Sequence, residues 1–188
     1  MPPDSSLLTK VARKLGQAPA YAEGPHPVSI LSAAAGCYGL TADIEELTQP
    51  TGYDPDAARL FEAIIESAFV VAHADGEFDA TEQATFRHVV LLACAGRVAE
   101  RQVSALLADL SDQLAEDGID KRIDVVGRAV RRPEQAREVL RVAALLAQVS
   151  GGVSQVERDV MSRIAKKLNV GESMVDEVLL EAKRALHE

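Results

Sequence analysis

The stretch Ala68-Phe-Val-Val-Ala-His-Ala-Asp-Gly-Glu-Phe-Asp-Ala-Thr-Glu82 returns later in the chain as Ala143-Ala-Leu-Leu-Ala-Gln-Val-Ser-Gly-Gly-Val-Ser-Gln-Val-Glu157. In each copy an Ala-rich apolar run meets a glycine (Gly76, Gly151), a hydrophobic residue follows two places on (Phe78, Val153), and a glutamate follows six places on (Glu82, Glu157). Gly151 follows Gly76 by 75 residues and Glu157 follows Glu82 by the same 75. Self-similarity at a fixed offset means that one supersecondary unit is used twice, and two such units bury a shared face. The copies differ in charge. The first surrounds its turn with Asp75, Glu77 and Asp79, whereas the second has Ser150, Gly152 and Ser154 there. Any chemistry that the turn supports belongs mainly to the first copy.

The periodicity around the repeats predicts helices throughout. Asp54 is an N-cap residue and Pro55 suits the first helical position, so a long helix should run to about Ala74, burying Leu60, Phe61, Ile64, Ile65, Ala68 and Ala72. Gly76 stops it. Asp79-Ala-Thr-Glu82 has the spacing of a capping box, and Ser154-Gln-Val-Glu157 has it again. Between the copies, Val103, Leu106, Leu107, Leu110 and Leu114 mark one apolar face, and Ile119, Ile123, Val126 and Val130 mark another. The run Val139–Ala147 is apolar almost all round and should lie at the centre. Small residues at Ala68, Ala72, Ala143 and Ala147 should let the two repeat helices cross closely. Aromatics make up only 4% of the chain, and Ala, Leu, Val, Glu and Arg dominate. That bias favours helices over sheets. The expected fold is therefore an all-α compact bundle on two pseudo-symmetric helical hairpins, 54–96 and 133–169.

The segment ahead of this body reads differently. Leu7, Leu8, Val11, Ala12 and Leu15 fall at helical spacing and should form a short amphipathic helix packed on the body. Gly16–Pro27 is rich in chain breakers and reads as a linker, and Thr41–Glu46 as a short helix. The expected division is a 1–53 extension and a 54–188 helical domain.

A net charge of −9 argues against general affinity for nucleic acid, which needs clustered Lys and Arg. No apolar run reaches the roughly 20 residues of a membrane span, and the first residues lack a signal-peptide pattern. Cys37 and Cys94 form no disulfide framework and read as reduced thiols. A cytoplasmic protein without direct membrane insertion is expected. His26, His73, His88 and His187 lack the partners of a nucleophilic triad or a His-Glu-x-x-His zinc motif. Arg128, Arg131, Arg132 and Arg137 read as a solvated face paired with Glu134 and Glu138.

The acidic turn is the candidate site. Asp75 follows a helix C-terminus, where partial negative charge already accumulates, so a compensating cation is expected. Carboxylates of Asp75, Glu77, Asp79 and Glu82 beside helix-terminal carbonyls suit a hard divalent cation such as Ca²⁺ or Mg²⁺. His73 could join for Zn²⁺ or, protonated, could balance Asp75 itself. Capping alone also accounts for Asp79 and Glu82. The loop lacks the order and spacing of an EF-hand.

The pattern Ala-x-x-x-Ala-x-Ala-Asp-Gly-x-x-x-x-x-Glu, set in an all-helical context and repeated, resembles the tellurite-resistance TerB family and the TerB-like domain of a membrane-anchored DnaJ-type co-chaperone. The resemblance spans roughly residues 54–188. It implies a compact helical module without catalytic activity, a divalent-metal site at the Asp-Gly turns, and partners in a bacterial stress-response system, often near the membrane. Asp75, Gly76 and Glu82 match the family turn. In the second copy Gly151 and Glu157 match, while Ser150 stands where the family has Asp. Three classes of function follow: a metal-binding or scaffolding stress-response module, a pure protein adaptor, and a metal-dependent enzyme using the acidic turn.

Overall fold

The computed structural model describes residues 5–19, 22, 28–40, 54–76, 78–149 and 151–187. Among these residues the regular structure is helical, joined by one isolated antiparallel bridge between Gln17 and Val28. The helices are α1 (Ser5–Gly16), α2 (Ile30–Gly39), α3 (Pro55–Ala72), α4 (Ala80–Cys94), α5 (Glu100–Ala129), α6 (Pro133–Ala147), α7 (Gln155–Lys167) and α8 (Ser173–His187). The expected helix at Thr41–Glu46 lies outside the described residues.

Helix starts follow from local chemistry. Asp54 accepts from the amides of Asp56 and Ala57 at 2.9 and 3.3 Å, with Pro55 opening α3. At α6, Gln135 accepts from the Arg131 and Arg132 amides at 2.9 and 3.1 Å, ahead of Pro133. Gly118 breaks α5 with φ 74° and ψ 165°, dividing it where the sequence shifts from one apolar face to the other. No residue with a Cβ adopts that conformation without strain.

α3 and α6 form the centre and pack on each other. Phe61, Ile64, Ile65 and Ala68 of α3, with Leu140, Ala143 and Leu145 of α6, are at most 2% exposed. Ala68 and Ala143 thus sit where small side chains allow close approach. α5 and α2 cover α3, α8 covers α6, and α1 lies on α4. α1 and α2 contribute Val11, Leu15, Leu31 and Ala35 to the same core cluster as α3–α8.

Two charged pairs are buried within this apolar body. On α6, Arg141 clasps Glu138 through two hydrogen bonds of 2.7 and 3.0 Å, and both residues are at most 3% exposed. Arg141 also donates to the carbonyls of Lys14 and Leu15 at the end of α1, at 3.0 and 3.4 Å. Glu138 accepts from the Leu31 amide in the first turn of α2 at 3.1 Å. One pair therefore satisfies orphan groups at the end of one helix and the start of another. Arg137, one turn earlier, reaches Glu177 and Glu181 on α8, and Arg131 reaches Asp56. Arg128, Arg131 and Arg132 are exposed, as the expected solvated face requires, but the expected pairing with Glu138 is corrected, because Glu138 turns inward and Arg131 and Arg137 pair with other helices. On the other side of α3, Arg122 bonds Glu66 and, at 3.1 Å, Asp117 beside the Gly118 break.

Among the described residues, no helix is long and apolar enough to cross a membrane.

Candidate functional site

The first repeat turn is built by the end of α3 and the start of α4. His73 closes α3, its amide donating to Phe69 at 3.1 Å, and Gly76 turns the chain at φ 82°. Asp79 then caps α4. One of its carboxylate oxygens accepts from Thr81 and Glu82 amides at 2.7 and 2.8 Å, while Glu82 Oε2 accepts from the Asp79 amide at 3.1 Å. This is the reciprocal capping box that the spacing predicts. One oxygen of each carboxylate is therefore engaged by backbone amides.

Phe78 pins the corner. Its ring meets Phe69 of α3 and Phe86 of α4 edge-on, with centroids 5.7 and 5.9 Å away. His73 lies against the same group, 4.1 Å from Phe69 and 4.4 Å from Phe78. Its Nδ1 is 2.8 Å from the Phe69 carbonyl, and a carbonyl only accepts, so Nδ1 carries the proton. Burial pulls the imidazole below its ordinary pKa, outweighing the opposite effects of the Phe69 carbonyl, Asp75 and Glu82. At neutral pH the ring is uncharged and does not supply the positive charge expected beside Asp75. Asp75 itself is exposed on the turn. Glu77 and Ser150, both part of the sequence argument, lie outside the described residues. Among the described residues, no group of three or more His, Cys, Asp and Glu side chains is placed to hold a metal ion.

The second turn repeats the capping and omits the aromatic pin. Gly151 and Gly152 have φ of 107° and 110°. Ser154 accepts from the Glu157 amide at 3.2 Å and returns its own amide to Glu157 Oε2 at 2.7 Å. Glu157 is buried, whereas Glu82 is partly exposed. Val153 takes the place of Phe78 and packs against the core. His88 is exposed on α4.

A concavity lies elsewhere. An open groove of about 750 Å³ runs between α6, α8 and the end of α1. Leu145 and Ala182 form its floor, Leu180 stands 49% exposed within it, and Lys14, Arg137 and Arg184 line its edges with Glu177 and Glu181. Sequence reasoning missed this site. Its signal lies in two stripes at helical spacing: Arg137, Arg141 and Leu145 on α6, and Glu177, Leu180, Glu181 and Arg184 on α8. Neither stripe declares from sequence alone that it faces the other.

Comparison with protein-family models, with curated proteins and with solved structures gives no match.

Proposed function

We propose that this chain is a non-catalytic scaffolding module of the TerB-like kind, a rigid helical body that serves a stress-response system by presenting its surface to other proteins. The observation that carries this reading is the use of the two motif turns as structural corners. In each, the acceptor at the N-cap and the glutamate three residues later close on backbone amides. Those side chains act on the fold first, and the pseudo-two-fold relation between the two units belongs to the same proposal. The buried Glu138–Arg141 and Glu66–Arg122 pairs fit it too. Each is fully engaged in holding helix to helix, which suits a rigid platform better than a reacting centre. A cytoplasmic setting near membrane-associated partners completes the proposal.

The test has two arms. Survival of a bacterial host on tellurite, with and without the chain, addresses the stress assignment: protection supports it, and equal survival removes it. Melting in EDTA and in added cations addresses the scaffold, whose midpoint should not move.

A second reading is favoured by one observation. The neutral His73 ring, protonated on Nδ1, keeps Nε2 as an electron-pair donor, the form that a metal ion needs. With Asp75 on the exposed turn, and with Glu77, it would hold a divalent cation at the first turn and not the second. A saturable rise in melting midpoint that Asp75→Asn abolishes, and that Ser154→Ala retains, would establish that reading.

A further inference from the structure

We propose that Gly118 is a hinge through which this chain exchanges halves with a second copy of itself: bent, it folds α6–α8 back onto α3 of the same chain, and helical, it delivers them to α3 of a partner copy. Gly118 is the one residue of the 30-residue α5 with non-helical torsions, φ 74° and ψ 165°. That region is open to glycine and closed to residues with a side chain. Space does not demand glycine, since a Cβ at 118 would meet no heavy atom of the described residues within 4 Å. The torsion alone sets the bend.

Each arm of α5 is fastened to its own half of the fold. In the first arm, Gln102 donates to the Gly39 carbonyl of α2 at 3.2 Å, and Ser104 accepts from Arg87 of α4 at 3.5 Å. In the second arm, Asp120 pairs with Arg163 and Asp124 with Lys167, both on α7, the latter at 2.5 Å. Across the halves run the packing of α3 on α6 and α7 and the buried Glu66–Arg122 pair. A second copy supplies these same contacts unchanged, which is the condition for exchange.

The sequence suits a straight α5 as well as the bent one. At about 100° per residue, Val103, Leu106, Leu110 and Leu114 fall on one face of a continuous helix, and Ile119, Ile123 and Val126 on nearly the opposite face, one face for each half. Asp117 and Lys121, bonded at 2.5 Å across the bend, already have the i,i+4 spacing that helices favour. Straight, the helix extends about 45 Å and carries α6–α8 away from their own α3. Phe61, Ile64, Leu140 and Leu145, at most 2% exposed in the bent form, then lie open until another copy covers them. Covering them in both directions closes the pair as a two-fold dimer. Because this core must open before halves can exchange, folded chains keep the form they took while folding. The exchange depends on the helix and not on the stress-response reading.

The experiment refolds the urea-unfolded full chain at about 1 μM and about 200 μM and reads its mass by size exclusion with light scattering. Gly118→Ala has room for its methyl group but no access to the bend. At the higher concentration its dimer-to-monomer ratio should exceed that of the wild type at least about tenfold, and the dimer should persist on dilution. A second arm leaves Gly118 in place. Glu66→Arg and Arg122→Glu each bury two like charges in a single chain, whereas halves exchanged between the two variants restore both opposite-charge pairs. Refolded together, they should give a mixed dimer whose cooperative urea transition lies above that of either variant refolded alone. The proposal is overturned if the co-refolded mixture matches the variants refolded apart. It is also overturned if Gly118→Ala folds but dimerises no more than the wild type, or forms a dimer that dissociates at once on dilution. If Gly118→Ala does not fold, the mixed pair decides.

Discussion

Replacing Arg141 with Met tests how the N-terminal helices are held to the rest of the protein. Met keeps most of the apolar stem and deletes the guanidinium. With it go the hydrogen bonds to Glu138, at 2.7 and 3.0 Å, and to the Lys14 and Leu15 carbonyls, at 3.0 and 3.4 Å. What remains is a carboxylate 1% exposed, still bonded to the Leu31 amide, with no cation beside it. Removing one partner of a buried pair costs about 3–5 kcal/mol, because the other charge is left uncompensated in a medium of low dielectric. The two carbonyls add to this, since each loses a donor at a helix end. Against a total stability of about 5–15 kcal/mol, a loss near 4 is large. Adding Glu138→Gln removes the stranded charge while keeping an acceptor for Leu31. The double variant should recover part of the loss, with a coupling of about 1–3 kcal/mol. Urea unfolding followed by circular dichroism, with the slope unchanged, gives these values. The reasoning is refuted if Arg141→Met stays within about 1 kcal/mol of wild type, or if the double variant costs the sum of the singles.

Other outcomes follow from the turns. Glu82→Ala and Glu157→Ala should each cost on the order of 1 kcal/mol in urea unfolding, Glu157 the more because it is buried; a variant with wild-type stability would contradict the capping role. His73 has a folded pKa below its unfolded value of about 6.5, so the unfolded chain takes up its proton first as pH falls. Its contribution is therefore complete above that value and declines as pH drops below it, and His73→Phe should flatten this slope in melts recorded between neutral and mildly acidic pH. An unchanged slope would show that the ring is not buried as described.

Much of the fold was legible because helices announce themselves locally. The Asp54-Pro55 start, the capping boxes at Asp79 and Ser154, and the break near Gly118 each follow from a few adjacent residues. The all-round apolar pattern of Val139–Ala147 likewise placed α6 at the centre. Glu138 and Arg141 show where such reasoning stops. By spacing they look like two more surface charges, and only the arrival of Lys14, Leu15 and Leu31 from distant parts of the chain gives them a reason to be buried. The aromatic corner was half legible. Phe78 was marked by its position after Gly76, but its packing on Phe69, Phe86 and His73 depends on how α3 and α4 are angled. At the first turn the spacing offered both a cap and a ligand set for Asp79 and Glu82, and the cap is formed; for His73 it offered a metal ligand or a balancing charge, and burial disfavours the charged form. The groove escaped because its two stripes, one ending at Leu145 and the other starting at Glu177, are more than thirty residues apart in the chain.

The most direct measurement is the melting midpoint of the full chain in EDTA compared with added Ca²⁺, Mg²⁺, Mn²⁺ and Zn²⁺. A ligand that binds only the native state must raise it, by about 2.7 kcal/mol of stability at a hundredfold excess over its dissociation constant. A scaffold whose turns are closed on their own backbone amides predicts the same midpoint in every condition. A saturable rise with one cation, abolished by Asp75→Asn, would contradict that account and make the first turn a metal site.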